Sequence, residues 1–475
     1  MPMSPKDISS SIFRGYDLRG LVGNELNDEV MEFLGKGYAT FLSKRRIIEA
    51  VVGCDCRLTS ESYKNSFIKG MTSCGINVID FGLGLSQIMY FAQYYFRTKG
   101  GCFITASHNP KEFNGMKLAV GFSQTMISEE IQEFREITQS GIYAQSEHPG
   151  KLTTFDIFPT YKEDILKRVS VGKKFKVVVD ACNATAGKFL PDIFRSAGCE
   201  VIEQNTNLDG NFPLGASDPT EKKVQERLAQ RVLAEKADIG FSYDADGDRV
   251  GVVDEKGNLI WNDVLVSIFA IDVLDFLPKS KIIFNTLCSK QVKEVVLKAG
   301  GIPVIWSTGH SFIKAKVAEE RAPFGGELSG HFFFVDNFYG HDDGAYASLR
   351  LLSYLARKGK SLGEIVNDLP KYISSPEIKL GCPDEIKFKL ISEKISQDLK
   401  ILNPQAEYIE IDGIRMDTAD RMAVIRASQN GPYITIKFES KNENGFQELK
   451  NQISQILHKY PEIDFNSGVN VEALS

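Results

Sequence analysis

The sequence lacks the features that mark membrane, secreted and nucleic-acid-binding proteins. No apolar run approaches the roughly 18 residues of a membrane span. The polar N-terminal stretch contains two prolines and has no apolar core of a signal peptide. Lysine and arginine are spread along the chain, and the net charge of −6 indicates no basic nucleic-acid footprint. We therefore expect neither a membrane nor a nucleic-acid partner.

The cysteines also show no spacing that is typical of a zinc site. Cys54 and Cys56 form one close pair, but no second pair follows at zinc-site spacing. Most of the eight cysteines stand in strand-like or helix-like segments. We expect all of them to be reduced thiols, which is typical of a cytoplasmic protein.

The first three quarters of the chain repeat one pattern of strand, helix, glycine and strand. A chain of 475 residues is too long for one hydrophobic core, so several domains are expected. The apolar β-branched runs are typical of strands buried on both faces, and the glycine suits a position just past a helix end. The first strands are predicted at 47–53, 176–180 and 281–285, and the second strands begin after Gly75, Gly198 and Gly301. One large α/β sheet is the alternative.

The last quarter has a different pattern. A helix-like stretch at 386–402 is followed by strands near 408–411, 422–427 and 433–439 and by a helix near 446–460. The chain is therefore predicted to be an α/β protein with three similar mixed-sheet α/β domains and a smaller C-terminal α+β domain, arranged around a central cleft. The predicted domains are 1–153, 154–256, 257–372 and 373–475.

The first motif with chemical potential is Thr105-Ala-Ser-His-Asn-Pro110. It follows a predicted strand, and loops at strand ends are favoured ligand sites in α/β folds. Its small residues and its proline favour a tight turn that presents the Ser107 hydroxyl beside His108. A solvated polar turn explains the same residues equally well.

The second motif is Asp244-Ala-Asp-Gly-Asp-Arg249, between two predicted strands. Three carboxylates at this spacing suit Mg²⁺, and Arg249 beside them suits a phosphate. Asp244, Asp246 and Asp248 also match the first ligands of an EF-hand calcium loop. Arg249 stands where that loop needs glycine. An EF-hand loop is also flanked by helices, whereas this motif is flanked by predicted strands, so the calcium loop is disfavoured. A solvated acidic turn remains an alternative.

Weaker signals come from single polar groups in glycine-rich loops or near strand ends. Each has an ordinary structural explanation as a turn, a hairpin loop or a solvated lysine. They suit sugar hydroxyls or phosphate only in combination. These residues are Tyr16, Arg19, Lys117, His310, Glu327, Ser329, His331, Arg426, Ser428 and Asn430.

Taken in order, the motifs resemble those of the α-D-phosphohexomutase family. The segments that carry the resemblance span nearly the whole chain. They are FRGYDLRG, TASHNP, NGMK, DADGDR, GGELSGH and RASQNGP. The resemblance implies an intramolecular phosphotransfer between C1 and C6 of a hexose phosphate, through a phosphoserine and a hexose 1,6-bisphosphate that serves as intermediate and primer.

The resemblance also implies a role for each motif residue. Phosphorylated Ser107 would carry the phosphoryl group and complete a Mg²⁺ site with Asp244, Asp246 and Asp248. The other catalytic residues would be Arg19, His108, Lys117 and Arg249. The substrate-binding residues would be Tyr16, His310, Glu327, Ser329, His331, Arg426, Ser428 and Asn430. A monomer is expected, because four domains in one chain can close a cleft without a partner.

Substrate choice is predicted from the sugar loop. GELSGH is similar to the GEMSGH of the mannose/glucose group, which favours mannose and glucose phosphates. Leu287 and Ser307 depart from that group, which often has lysine at both positions. Gln429-Asn430 and the loop after Phe81 depart from it as well. A phosphoglucosamine mutase and a non-catalytic sugar-phosphate-binding protein are the alternatives.

Overall fold

The computed structural model describes residues 4–429 and 431–474. These residues form two compact units, one of residues 4–262 and 329–365 and one of residues 263–328 and 366–474. Across the described part of the chain, no helix combines the length and the apolarity that a bilayer crossing requires.

The first sheet of the first unit is mixed. Its elements are β1 (Leu18–Leu21), α1 (Asp28–Lys44), β2 (Glu49–Cys54), α2 (Ser60–Ser73), β3 (Asn77–Leu83), α3 (Ser86–Phe96), β4 (Gly100–Ile104), β5 (Phe113–Gly121), β6 (Gln124–Thr125), α4 (Glu129–Ser140) and β7 (Leu152–Thr154). The strand order is β1-β5-β4-β2-β3-β7, with β6 beside β5. β2 runs parallel to β3 and β4, whereas β5 runs antiparallel to β4 and β1. The loop from β4 to β5 carries Ser107.

The second sheet follows the same plan. Its elements are α5 (Phe158–Arg168), β8 (Lys176–Asp180), α6 (Ala186–Ser196), β9 (Glu200–Gln204), α7 (Lys222–Glu235), β10 (Ile239–Tyr243), β11 (Val250–Asp254) and β12 (Leu259–Ile260). The order is β12-β11-β10-β8-β9, in which β8, β9 and β10 are parallel and β11 is antiparallel to β10. The turn from β10 to β11 holds the three aspartates.

A third α/β region comes next along the chain. Its elements are α8 (Asn262–Phe276), β13 (Lys281–Asn285), α9 (Lys290–Lys298), β14 (Ile302–Trp306), α10 (His310–Glu319) and β15 (Phe324–Gly326). β13 lies between β14 and β15, parallel to both. The chain then forms β16 (Phe332–Phe334), α11 (Gly344–Lys358) and α12 (Leu362–Asn367).

The C-terminal region is built on an antiparallel sheet. Its elements are β17 (Ile373–Ser374), β18 (Ile378–Gly381), α13 (Lys387–Lys389), a π-helical turn (Leu390–Ile395), α14 (Ser396–Leu402), β19 (Glu407–Ile409), β20 (Ile414–Asp417), β21 (Arg421–Ala427), β22 (Tyr433–Ser440), α15 (Glu443–Leu457) and β23 (Asp464–Val469). The order is β19-β20-β21-β22-β18-β23, with β17 beside β22. Its sheet has more strands than the sequence predicts.

The repeated strand–helix–glycine–strand pattern is confirmed, with one glycine displaced. Gly75 and Gly198 have φ angles of 85° and 90° and follow α2 and α6, as predicted. In the third repeat the positive φ of 77° falls on Gly300 and not on Gly301. The reason is that α9 ends at Lys298 with Ala299 as its C-cap, so Gly300 is the first residue past the cap.

Candidate active site

Ser107 lies in the loop after β4 and has an unusual backbone conformation. Its φ of 47° is in the left-handed region, which residues other than glycine rarely adopt. The side chain is buried, and its Oγ donates a hydrogen bond of 2.7 Å to Oδ2 of Asp244. Nδ1 of His108 lies 3.3 Å from the same Oγ. The structure therefore brings the serine of one motif against the aspartate of the other.

The aspartate turn is held together by its own backbone. Gly247 allows the turn with a φ of 75°. The amides of Gly247 and Arg249 donate to Oδ1 of Asp244 at 3.1 and 3.2 Å. These bonds fold the segment back on itself, so that the carboxylates of Asp244, Asp246 and Asp248 lie close together.

The three carboxylates could hold a metal ion. Asp244, Asp246 and Asp248 are buried, and each offers an oxygen within 4.8 Å of the others. Among the described residues, the Oδ1 atoms of Asp246 and Asp248 have no hydrogen-bond partner. Buried unpaired carboxylate oxygens are costly unless a cation satisfies them, and a hard divalent cation fits this donor set. The flanking elements are strands, unlike the helices of a calcium loop.

Lys117 of β5 places an ammonium among these carboxylates. Its Nζ donates to Oδ2 of Asp246 at 2.7 Å and makes a short contact with Oδ2 of Asp248. Burial opposes the charge, but the two carboxylates outweigh it and raise the pKa of Lys117 well above its ordinary value. Burial, and then the charges of Asp246 and Asp248, raise the pKa of Asp244. The ammonium therefore keeps its proton, and Asp244 takes one up more readily than an ordinary aspartate.

Arg249 is oriented by a chain of two further side chains. Its Nε donates to Nε2 of His331 at 2.9 Å, and Nδ1 of His331 lies 2.8 Å from Oδ2 of Asp342. An imidazole that accepts at Nε2 and faces a carboxylate at Nδ1 carries its proton on Nδ1. The charges of Asp244 and Asp218 overcome burial and raise the pKa of Arg249. Arg249 is thus a fixed cation beside the aspartate turn.

Arg19 offers a second cation in the same unit. Its Nε and Nη2 donate to Oδ2 of Asp17 at 2.9 and 2.7 Å. Its Nη1 is buried and has no hydrogen-bond partner among the described residues. Burial is outweighed by Asp17 and Asp246, which raise the pKa of Arg19. Tyr16 is buried nearby and adds to the rise in pKa of both Arg19 and Arg249.

The predicted sugar loop is divided between the units, with Ser329 and His331 in the first and Glu327 in the second. In the second unit, Oε1 of Glu327 accepts a hydrogen bond of 2.8 Å from the amide of Gly309. His310 comes directly after Gly309, at the start of α10, and is buried. Glu327 therefore braces the turn that presents His310.

Arg426, also in the second unit, is held by an acidic residue that the motifs do not include. Its Nε donates to Oδ2 of Asp412 at 2.7 Å, and the amide of Thr308 donates to the same oxygen at 2.9 Å. Ser428 is buried, and its amide donates to the carbonyl of Tyr433 at 3.0 Å. Asn430, predicted to bind substrate, lies outside the described residues.

The two positions that lack a lysine have structural partners in the second unit. Leu287 is buried, and its carbonyl accepts a hydrogen bond of 3.2 Å from Nζ of Lys437. The Lys437 ammonium also binds Oδ2 of Asp263 at 2.7 Å. Ser307 donates from Oγ to the carbonyl of Ile411 at 3.2 Å. A lysine from another strand therefore lies next to Leu287.

Several residues that contact the site are not predicted from the sequence. Ser86 donates to Oδ2 of Asp248 at 3.2 Å, and Gln87 donates to the carbonyl of Gly247 at 3.0 Å. The positive charges of His108 and Arg249 overcome burial and lower the pKa of Asp218 to about 2. No local spacing signals these contacts, because each joins distant parts of the chain.

The fold and the site together define an enzyme of the α/β type with a serine, a carboxylate cluster and cations suited to a phosphoryl group. The chain matches the profiles of Phosphoglucomutase/phosphomannomutase, alpha/beta/alpha domains I, II and III, over residues 10–144, 159–257 and 261–372. It therefore belongs to the α-D-phosphohexomutase family, and the resemblance read from the motifs is confirmed.

Relatives and solved structures agree with this assignment along almost the whole chain. The chain is 34% identical over 458 residues to the phosphomannomutase/phosphoglucomutase of Pseudomonas aeruginosa, covering 96% of this chain and 98% of that protein. It is 31% identical over 456 residues to the phosphoglucomutase of Neisseria gonorrhoeae, covering 96% and 98%. A crystal structure of a phosphoglucomutase/phosphomannomutase family protein from Burkholderia thailandensis superposes with a TM-score of 0.87 at 31% identity, covering 95% and 98%.

Proposed function

We propose that this chain interconverts the 1-phosphates and 6-phosphates of mannose and glucose through phosphorylated Ser107. The observation that carries the proposal is the 2.7 Å hydrogen bond from Ser107 Oγ to Asp244 inside the carboxylate cluster. A serine in that position can exchange a phosphoryl group beside a metal-binding cluster and several fixed cations.

Asp244, Asp246 and Asp248 would hold Mg²⁺, with an oxygen of phosphorylated Ser107 as a further ligand. The buried Oδ1 atoms of Asp246 and Asp248, unpaired among the residues that the structure describes, support this choice of a hard cation. When bound, Mg²⁺ would neutralise negative charge on the transferring phosphoryl group.

The transfer proceeds in two steps. The free sugar hydroxyl releases its proton to water as its oxygen attacks the phosphorus of phosphorylated Ser107; the P–O bond to Oγ breaks, Oγ takes up a proton, and the sugar becomes a 1,6-bisphosphate. The bisphosphate turns over, and the Ser107 hydroxyl releases its proton to water as Oγ attacks the other phosphorus, whose bond to the sugar oxygen breaks and leaves a sugar hydroxyl. Lys117, kept protonated by Asp246 and Asp248, would supply the proton to Oγ as it leaves. The raised pKa of Arg249 favours phosphate binding over proton abstraction.

The remaining predicted residues would bind the substrate. Within the described part of the chain, the buried Nη1 of Arg19 is unpaired, which suits a phosphate oxygen. Arg426, with Ser428 and Asn430, would hold the phosphate that is not reacting. The sugar hydroxyls would be bound by the polar side chains of the turns described above, with His108 beside the nucleophile. These side chains are those of Tyr16, His310, Glu327, Ser329 and His331.

Mannose and glucose phosphates are favoured over glucosamine phosphate. The relatives from Pseudomonas and Neisseria are named phosphomannomutase/phosphoglucomutase and phosphoglucomutase, and they align along nearly the whole chain. We also propose four domains with the predicted boundaries, a monomer, a cytoplasmic location and a hexose 1,6-bisphosphate as primer.

The experiment is turnover on mannose 1-phosphate, glucose 1-phosphate and glucosamine 1-phosphate, with Mg²⁺ and a trace of glucose 1,6-bisphosphate. We expect turnover of the first two and loss of turnover when the metal is chelated. Turnover of glucosamine 1-phosphate alone would replace the substrate assignment. Phosphorylated Ser107 without turnover of any of the three would favour a sugar-phosphate-binding protein that does not catalyse.

A further inference from the structure

The backbone on both sides of Ser107 is held by a buried polar network outside the catalytic motifs. A serine with φ of 47° occupies a strained region of backbone conformation. Such residues persist only where the surrounding structure imposes the conformation. The contacts that impose it here come from Asp55 and Arg57, in the loop after β2, and from Thr105.

Arg57 binds the carbonyl groups of the serine loop. Its Nη2 donates to the carbonyls of Ser107 and Asn109 at 2.6 and 2.7 Å. Its Nη1 donates to the carbonyls of Pro110 and Phe113 at 2.9 and 3.0 Å. One buried guanidinium thus satisfies four carbonyls along the turn from β4 to β5. A lysine has no planar fork and cannot reproduce this set of bonds.

Thr105 binds the other side of the nucleophile. Its Oγ1 accepts a hydrogen bond of 2.8 Å from the amide of Ser107 and donates one of 2.8 Å to Oδ2 of Asp55. The same Asp55 oxygen accepts from Nε of Arg57 at 3.1 Å. Asp55 therefore joins both arms of the network, one reaching the amide and one the carbonyl of Ser107.

The network is rigid because it is buried and closed. The exposed fractions of Asp55, Arg57 and Thr105 are 1%, 4% and 1%. Oδ1 of Asp55 accepts further bonds from the Ser60 hydroxyl at 2.5 Å and from the Arg57 amide at 3.0 Å. Fully satisfied buried networks of this kind specify one geometry.

We propose that Asp55, acting through Thr105 and Arg57, is a positioning residue for phosphoryl transfer at Ser107. This inference rests on the proposed function. The network sets the direction of the Ser107 side chain, whose Oγ must reach the carboxylate cluster at Asp244. A small displacement of a reacting atom slows transfer far more than it weakens substrate binding.

Thr105 gives the sharpest test, because one substitution can remove its hydroxyl without changing its shape and another can keep the hydroxyl. Thr105→Val keeps the shape and removes both bonds, whereas Thr105→Ser keeps the hydroxyl. The first measurement is the rate at which Ser107 takes phosphate from glucose 1,6-bisphosphate, followed by intact mass. Steady-state kcat and KM and the thermal midpoint complete the set.

We expect Thr105→Val to lower the transfer rate and kcat by about tenfold to a hundredfold while KM changes by less than about threefold. Thr105→Ser should stay within about threefold of the wild type. A loss of thermal stability with an unchanged rate per folded molecule would overturn the proposal, because a purely structural role predicts that result.

Arg57→Lys is the second variant, and Arg45→Lys is its matched control. Arg45, the C-cap residue of α1, donates from Nη1 and Nη2 to the carboxylate of Glu133 on α4 at 3.2 and 2.6 Å, and both side chains are about one third exposed. We expect Arg57→Lys to slow phosphate uptake at least about tenfold and Arg45→Lys to leave it unchanged.

The outcomes separate this inference from the function on which it rests. If wild-type Ser107 takes no phosphate, the proposed function fails. If the wild type is phosphorylated and both Thr105→Val and Arg57→Lys match its rate, the proposed function stands and the positioning role is overturned.

Discussion

Removing the ammonium of Lys117 should lower the free energy of unfolding, because the buried carboxylates lose a cation that pairs with them. Lys117→Met keeps a long apolar side chain but leaves Asp246 and Asp248 buried without the ammonium that pairs with them. The lysine Nζ lies 2.7 Å from Asp246, and both side chains are almost completely buried. Breaking one partner out of a buried ion pair costs about 3–5 kcal/mol of the free energy of unfolding.

A loss of that size should lower the thermal midpoint of the metal-free protein by roughly 5–15 °C. Mg²⁺ should restore much of it, since saturating the cluster at about 100 times the dissociation constant contributes about 2.7 kcal/mol. The stabilisation by Mg²⁺ should be larger in Lys117→Met than in the wild type, because the metal no longer competes with the ammonium for Asp246 and Asp248.

The assay is thermal unfolding with EDTA and with Mg²⁺, and Lys36→Met is the matched control. Lys36 pairs with Glu32 one turn away on α1 at 2.7 Å, and both side chains are partly exposed. Such a pair contributes about 0.3–0.5 kcal/mol. If Lys117→Met is no less stable than Lys36→Met in EDTA, or gains nothing from Mg²⁺, the electrostatic account of the cluster is refuted.

Three further predictions concern other groups. Arg426→Ala should raise KM for glucose 1-phosphate about tenfold to a hundredfold with a smaller change in kcat, because charged hydrogen bonds contribute about 1.5–3 kcal/mol; an unchanged KM in steady-state kinetics would remove Arg426 from the phosphate site. His331→Ala frees Arg249 and should lower kcat about tenfold or more; a wild-type kcat would show that Arg249 needs no such support. Burial raises the pKa of Asp343 from 3.8 to about 7, so the folded state binds the proton more tightly and stability should fall as pH rises from about 4 to about 7. Asp343→Asn should flatten that slope in urea unfolding, and an unchanged slope would rule out this carboxyl as its source.

Local pattern predicts the repeated part of the fold well. The strands at Lys176–Asp180 and Lys281–Asn285 have the predicted bounds, because a short apolar run between two polar residues is typical of a strand buried on both faces. The C-terminal sheet is less predictable. β17, β18, β20 and β23 lie outside the predicted strands, since an antiparallel strand can be short and its partners distant in sequence.

The residues of the site are likewise only partly predictable from local sequence. Ser107 and the aspartates stand in compact motifs, so the sequence singles them out. Ser107 and Asp244 are 137 residues apart, so local spacing does not predict their contact and only the family resemblance does. Asp55, Arg57 and Asp342 lie outside those motifs. Their importance depends on tertiary contacts with backbone carbonyls and with a histidine, which no local spacing encodes.

The most direct test of the central claim is the phosphorylation of Ser107. Wild-type protein and Ser107→Ala are incubated with Mg²⁺ and glucose 1,6-bisphosphate, and the modified residue is located by peptide mass spectrometry. The account predicts one phosphate on wild-type Ser107, its loss when glucose 6-phosphate is added, and neither phosphate nor turnover in Ser107→Ala. Near-normal mutase turnover by Ser107→Ala would contradict it.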